Sequence, residues 1–78
     1  MDVRDEITRL RRKAANVRSR EIFTLLEATG WSGRKRKHWV YSKAGHFPII
    51  VPDHPGALKV GTVHQILDRI EEDYPNDE

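Results

Sequence analysis

Cysteine is absent from the 78 residues. That excludes a disulfide staple, a thiolate nucleophile and a thiol-based zinc site, and it fits a reducing compartment. Long apolar runs are missing too. None reaches the length that spans a bilayer and there is no signal-peptide core, so a cytoplasmic protein with no membrane partner is expected. Glycine-rich phosphate loops followed by Lys-Ser or Lys-Thr, G-x-S-x-G elbows and H-E-x-x-H pairs do not occur. No pair among His38, His46, His54 and His64 has metal-ligand spacing on a helix, so the sequence calls for no metal and no cofactor. A chain this short implies one small domain with a limited core, which is a natural candidate for a partner protein.

What is present is charge, unevenly spread. Residues 1–20 carry a formal +4, residues 21–60 +3 and residues 61–78 −5, within a net charge of +2. A basic body that ends in an acidic tail suggests an acidic partner such as nucleic acid. The densest point is Arg34-Lys35-Arg36-Lys37-His38-Trp39-Val40-Tyr41, where four consecutive cations run into a histidine and an aromatic, β-branched stretch. Strand propensity is strong in Trp39-Val40-Tyr41. Alternation on a strand would put His38 and Val40 on one face and Trp39 and Tyr41 on the other. Imidazole is the side chain best suited to move a proton near neutral pH, and the cations attract phosphate. His38 is therefore the candidate catalytic residue, with Arg34, Lys35, Arg36, Lys37 and Lys43 as candidate phosphate-binding residues.

The rest of the chain reads as a scaffold. Val3, Ile7, Leu10, Ala14 and Val17 form a narrow apolar stripe that predicts a helix over residues 2–15, with acids near its start and bases near its end. Asn16 or Ser19 is the expected cap of a second helix over residues 18–28, with Ile22, Phe23, Leu25, Leu26 and Thr29 turned inward. Gly30 fits its left-handed terminus, and Trp31 would pack beneath the helix end. Strands are expected over residues 31–35, 37–42 and 47–51. The first two are joined tightly at Arg36 and the last two through Lys43-Ala44-Gly45-His46. Pro48 and Pro52 suit an edge strand. Thr62 with Gln65 fits a capping box, followed by Val63, Ile66, Leu67 and Ile70 at helical spacing up to about Asp73. The expected architecture is α+β in two layers: helix, helix, three-stranded antiparallel meander, helix. In such a meander the end of the third strand can lie near the start of the second. His54, in Val51-Pro52-Asp53-His54-Pro55, could then share an edge with His38, and it joins the phosphate-binding candidates.

These stretches resemble a known family. The segment from Val51 to Leu67, with its V-P-x-H start and its Gly61-Thr62 before Ile66-Leu67, resembles the C-terminal half of HicA-family toxins. Leu25-Leu26 followed by Gly30-Trp31 resembles the L-L-x-x-x-G-W ending of that family's first core helix. The cation run and His38 fall where the family has Gly-Ser-His. The likeness spans roughly residues 17–70. It implies a core like a double-stranded-RNA-binding domain over residues 17–73, with residues 1–16 as a helical extension and residues 74–78 as a frayed acidic tail. It also implies an mRNA-cleaving toxin neutralised by a HicB-type antitoxin, with His38 as the essential histidine and His54 as the histidine of V-P-x-H.

One departure bears on activity. Arg36-Lys37 stands where the family has Gly-Ser. Glycine there lets backbone approach a phosphate or take positive φ, which arginine does only at a cost. Three readings follow. In the first, His38 cleaves RNA without a metal, the cations stabilise the phosphate, and His54 or a lysine supplies the second proton. The second is an RNA-binding module without cleavage. The third is a domain whose main partner is an acidic antitoxin.

Overall fold

The computed structural model describes residues 1–53 and 55–75. The chain runs α1 (Val3–Arg12), a 3-10 turn (Ala14–Asn16), α2 (Ser19–Ala28), β1 (Ser32–Lys35), β2 (Trp39–Ser42), β3 (Ile49–Val51) and α3 (Val60–Glu71). The strands form one antiparallel sheet in the order β1-β2-β3. The α+β class and the meander expected from the sequence are both present.

The helix ends show where local sequence decides and where tertiary structure does. Asp2 caps α1, its carboxylate accepting from the Asp5 amide at 3.1 Å. The helix stops at Arg12 instead of residue 15, yet Ala14 and Val17 remain buried from the 3-10 turn and the extended residue after it. Neither Asn16 nor Ser19 caps α2. Its N-cap is Arg18, whose carbonyl accepts from the Glu21 amide at 3.0 Å while the Glu21 carboxylate accepts from the Arg18 amide at 3.2 Å. At the far end Gly30 takes φ +94°. The Trp31 amide reaches back to the Leu26 carbonyl at 3.0 Å and the Gly30 amide to Glu27 at 3.3 Å, a Schellman closure.

α3 starts two residues before Thr62, which lies inside its first turn, so the Thr62/Gln65 capping box does not form. The cause is a backbone tether. Leu58 donates to the Val17 carbonyl at 2.8 Å, holding residues 57–59 extended against the α1–α2 connection. Released at Lys59, the chain turns at once into the helix, with Val63 donating to the Lys59 carbonyl at 3.0 Å.

The core joins Ile7, Leu10 and Val17 to Ile22, Leu25 and Leu26 of α2, to Val63, Ile66, Leu67 and Ile70 of α3, and to Tyr41, Ile49 and Val51 of the sheet. Each such side chain contributes about 1.5–3 kcal/mol by leaving water. All of the sheet's buried residues lie on one face. There Gly33, Tyr41 and Ile49 are register partners, as are Lys35, Trp39 and Val51. Residues of the opposite face are exposed or half-exposed: Ser32, Arg34, Val40, Ser42 and Ile50. β1 has no buried residue. A Cβ on Gly33 would stand 2.5 Å from the Tyr41 ring, because that ring occupies the space where a side chain would be. Phe23 packs on the same ring at 5.5 Å, and the Tyr41 hydroxyl donates to Glu27 at 3.0 Å.

Ion pairs hold α1 to α3. Arg4 donates to Glu71 at 2.6 Å and to the Tyr74 carbonyl at 2.9 Å. Arg11 bridges Glu71, Asp68 and Nδ1 of His64. Tyr74 also packs against the core, so the chain is tied down through a residue the sequence assigned to a frayed tail; residues 76–78 lie outside the described residues.

Gly33→Ala is expected to destabilise the fold by about 1–3 kcal/mol through overpacking against Tyr41, and Ser32→Ala by less than about 0.5 kcal/mol, both read from urea midpoints. Burial raises the pKa of the Glu71 carboxyl, but the hydrogen bonds from Arg4 and Arg11 outweigh it, and the group lies below its ordinary 4.5. A depressed carboxylate contributes stability above the unfolded-state value and loses it as pH falls through the folded one. Glu71→Gln should therefore be less stable at neutral pH and show a shallower loss below pH 4.5 when urea midpoints are followed against pH.

Candidate nucleic-acid interface

The cation run folds into the β1–β2 hairpin. Pairing ends at Lys35 opposite Trp39, so Arg36, Lys37 and His38 form a three-residue connection closed by the Arg36 amide donating to the His38 carbonyl at 2.9 Å. His38 therefore lies in the turn and not on the second strand, where the sequence reading put it. The reason is turn chemistry. Two-residue hairpin turns need positive φ, these three residues have no glycine, and no non-glycine residue described takes positive φ. The chain uses a wider turn instead and leaves all three side chains in solvent.

That turn concentrates charge. Among the described residues, Arg34, Arg36 and Lys37 have no acidic partner, and the His38 ring has neither a hydrogen bond nor an ion pair. Lys35 differs. It pairs with Asp53 on the side of the sheet that the helices cover, and its ammonium lies 5.9 Å over the Trp39 ring. The hairpin thus presents three cations that nothing in the described chain neutralises, plus an imidazole open to water.

On the uncovered face, the same hairpin forms a cavity of about 330 Å³ lined by Ser32, Gly33, Arg34, Arg36, Val40 and Ser42. Ser32 and Ser42 are direct register partners, and Arg34 stands opposite Val40. Among the described residues, none of the four polar side chains makes an internal hydrogen bond. The sequence reading missed both serines. Ser32 and Arg34 alternate with Gly33 in the sequence, but only the strand register brings Ser42 beside them.

The other candidates lie elsewhere. Lys43 follows β2 at the end of the sheet remote from the turn. There it donates to the Thr29 carbonyl at 2.8 Å and to Asp73 at 2.8 Å, and holds the Asp73 carboxyl below its usual range. His46 joins that cluster, 3.1 Å from Asp73 and 5.2 Å from the Trp31 ring. His54 lies outside the described residues. Its neighbour Asp53 reaches Lys35, and Val51 is the register partner of Trp39, so the end of β3 does lie beside the start of β2. Among the described residues, no three His, Asp or Glu side chains are grouped as metal ligands. No described helix is long and apolar enough to cross a membrane.

No family model, no curated protein and no solved structure matches the chain.

Because Arg36 and Lys37 have no acidic partner among the described residues, Arg36→Gln and Lys37→Gln should leave the unfolding free energy, read from urea denaturation, within about 0.5 kcal/mol of the parent. Lys35→Gln should lower it by about 0.2–1 kcal/mol through the lost surface pair with Asp53, by the same measurement.

Proposed function

We propose that this chain is an RNA-cleaving toxin of a toxin–antitoxin pair, acting through the β1–β2 hairpin. The observation that carries this reading is the exposed His38 ring in a turn whose flanking cations have no acidic partner among the described residues. The order α2, β1, β2, β3, α3 supports it. Helix, three strands, helix is the order that the resemblance to HicA-family toxins implies for the core, and α1 precedes it. The likeness of Val51–Leu67 and Leu25–Trp31 to HicA-family toxins points the same way.

In the proposed reaction a ribose 2′-hydroxyl attacks the adjacent phosphorus, the bond to the 5′-oxygen breaks, and a cyclic phosphate and a 5′-hydroxyl result. His38 takes the 2′ proton or returns one to the leaving oxygen. Arg34, Arg36 and Lys37 stabilise the charge that builds on the phosphate oxygens. DNA, lacking the 2′-hydroxyl, is not a substrate. An acidic, HicB-type antitoxin would cover this basic surface, with its charge hastening association.

A second reading, RNA or antitoxin binding without cleavage, is favoured by one observation. Among the described residues no second imidazole or carboxylate is bonded to His38, and Arg36-Lys37 replaces the Gly-Ser of the family pattern. The test is incubation of pure protein, wild type and His38→Ala, with bulk RNA and with DNA in chelator. Wild type should fragment RNA alone, and His38→Ala should leave it intact. RNA that is bound in a salt-dependent way but never cut assigns the second reading. Fragmentation by His38→Ala would take the reaction away from that imidazole.

A further inference from the structure

We propose that the cavity lined by Ser32, Arg34, Arg36 and Ser42 is a phosphodiester subsite, in which two strand hydroxyls join the two arginines in holding the RNA backbone along β1. The inference rests on the RNA reading of the hairpin and adds the two serines to it. Four observations support it. The sheet face here is uncovered by any helix. The cavity, about 330 Å³, is large enough for a phosphate group and its ester oxygens. Its polar lining consists of donors: two guanidinium groups and two hydroxyls on neighbouring strands, with no carboxylate among the lining residues. Those donors are unspent inside the described chain.

Geometry favours a phosphodiester over an acidic peptide. A guanidinium matches two oxygens of a phosphate or of a carboxylate, but the oxygens of a carboxylate lie in one plane, whereas those around phosphorus point to the corners of a tetrahedron and can meet donors that arrive from two strands and a turn. Val40 and the backbone of Gly33 supply a floor on which a sugar can rest. Ser32 and Arg34 lie two residues apart on β1, a rise of about 7 Å, and Arg36 follows in the turn. The row therefore follows an extended single strand leading toward the turn. Single-stranded RNA is the implied substrate, with contacts to the backbone and not to base edges.

The test uses the full chain and a labelled 2′-O-methyl oligoribonucleotide, which cannot be cleaved. Binding, followed by fluorescence anisotropy across a salt series, is compared for wild type, Arg34→Gln and Arg12→Gln, the last a control on α1. Each lost phosphate contact to a single strand lowers the slope of log K against log salt by about 0.7. Arg34→Gln should show that drop and Arg12→Gln none. Amide NMR with inorganic phosphate should give saturable shifts at Ser32, Gly33 and Ser42. Ser32→Ala/Ser42→Ala should weaken binding without changing the slope, since no charge is lost. An unchanged slope in Arg34→Gln, shifts confined to other residues, or polyglutamate moving the same amides at lower concentration than phosphate would each overturn the subsite. These readouts do not involve cleavage. The subsite can thus stand where His38→Ala shows the cleavage reading to be wrong, and fall where that reading holds.

Discussion

The Tyr41 ring lying over Gly33 fixes the geometry of everything on the far side of the sheet. A phenol at that place on the helix-covered face leaves no room for a Cβ, and so it selects glycine opposite and sets the β1–β2 register. Strand alternation then dictates the water-facing partners: Ser32 with Ser42, Arg34 with Val40. A slip of one residue would carry Arg34 under the helices and turn Gly33 outward. The candidate interface is therefore specified from behind, by an aromatic contact that touches no ligand.

Charge is distributed by the same logic at larger scale. The basic N-terminal block and the acidic C-terminal block, far apart in sequence, meet across α1 and α3, where Arg4 and Arg11 take up Glu71 and Asp68. Glu21 takes up Arg9 and Lys13. Lys43 takes up Asp73. After these pairings the hairpin keeps Arg34, Arg36 and Lys37, three consecutive or alternate cations with no acidic partner among the described residues, while Arg12, Arg18, Arg20 and Lys59 are spread over the rest of the chain. A modest net charge thus hides a local field, because the fold spends its carboxylates on holding helices together and sends few to the middle segment.

Much of the fold was legible because it depends on local rules. The stripe Val63, Ile66, Leu67, Ile70 is buried as its spacing implies, and so are Ile22, Leu25 and Leu26. Gly30 and Gly45 take the positive φ that their turns require. What could not be read was decided at a distance. The start of α3 follows from a backbone contact between Val17 and Leu58, forty-one residues apart, and no capping motif records it. The position of His38 follows from the absence of a turn residue, which a strand-propensity reading of Trp39-Val40-Tyr41 does not register. Asp53 as the partner of Lys35 and the two cavity serines needed the register, and register comes from packing. Lys43 carries the same charge as its neighbours in sequence, but its place beside Asp73 needed the fold.

The first strand has no buried side chain of its own. It sits at the sheet's edge, joined by backbone pairing to β2 and weighted down by a ring that belongs to that neighbour. Opening it frees no buried side chain of its own and uncovers chiefly the Tyr41 ring, so its amide protons should exchange with solvent through local fraying before those of α3, which carries four buried side chains. The segment that carries the arginines is thus the most easily lifted part of the sheet, and an extended partner could be accommodated there by small backbone adjustment without loosening the core.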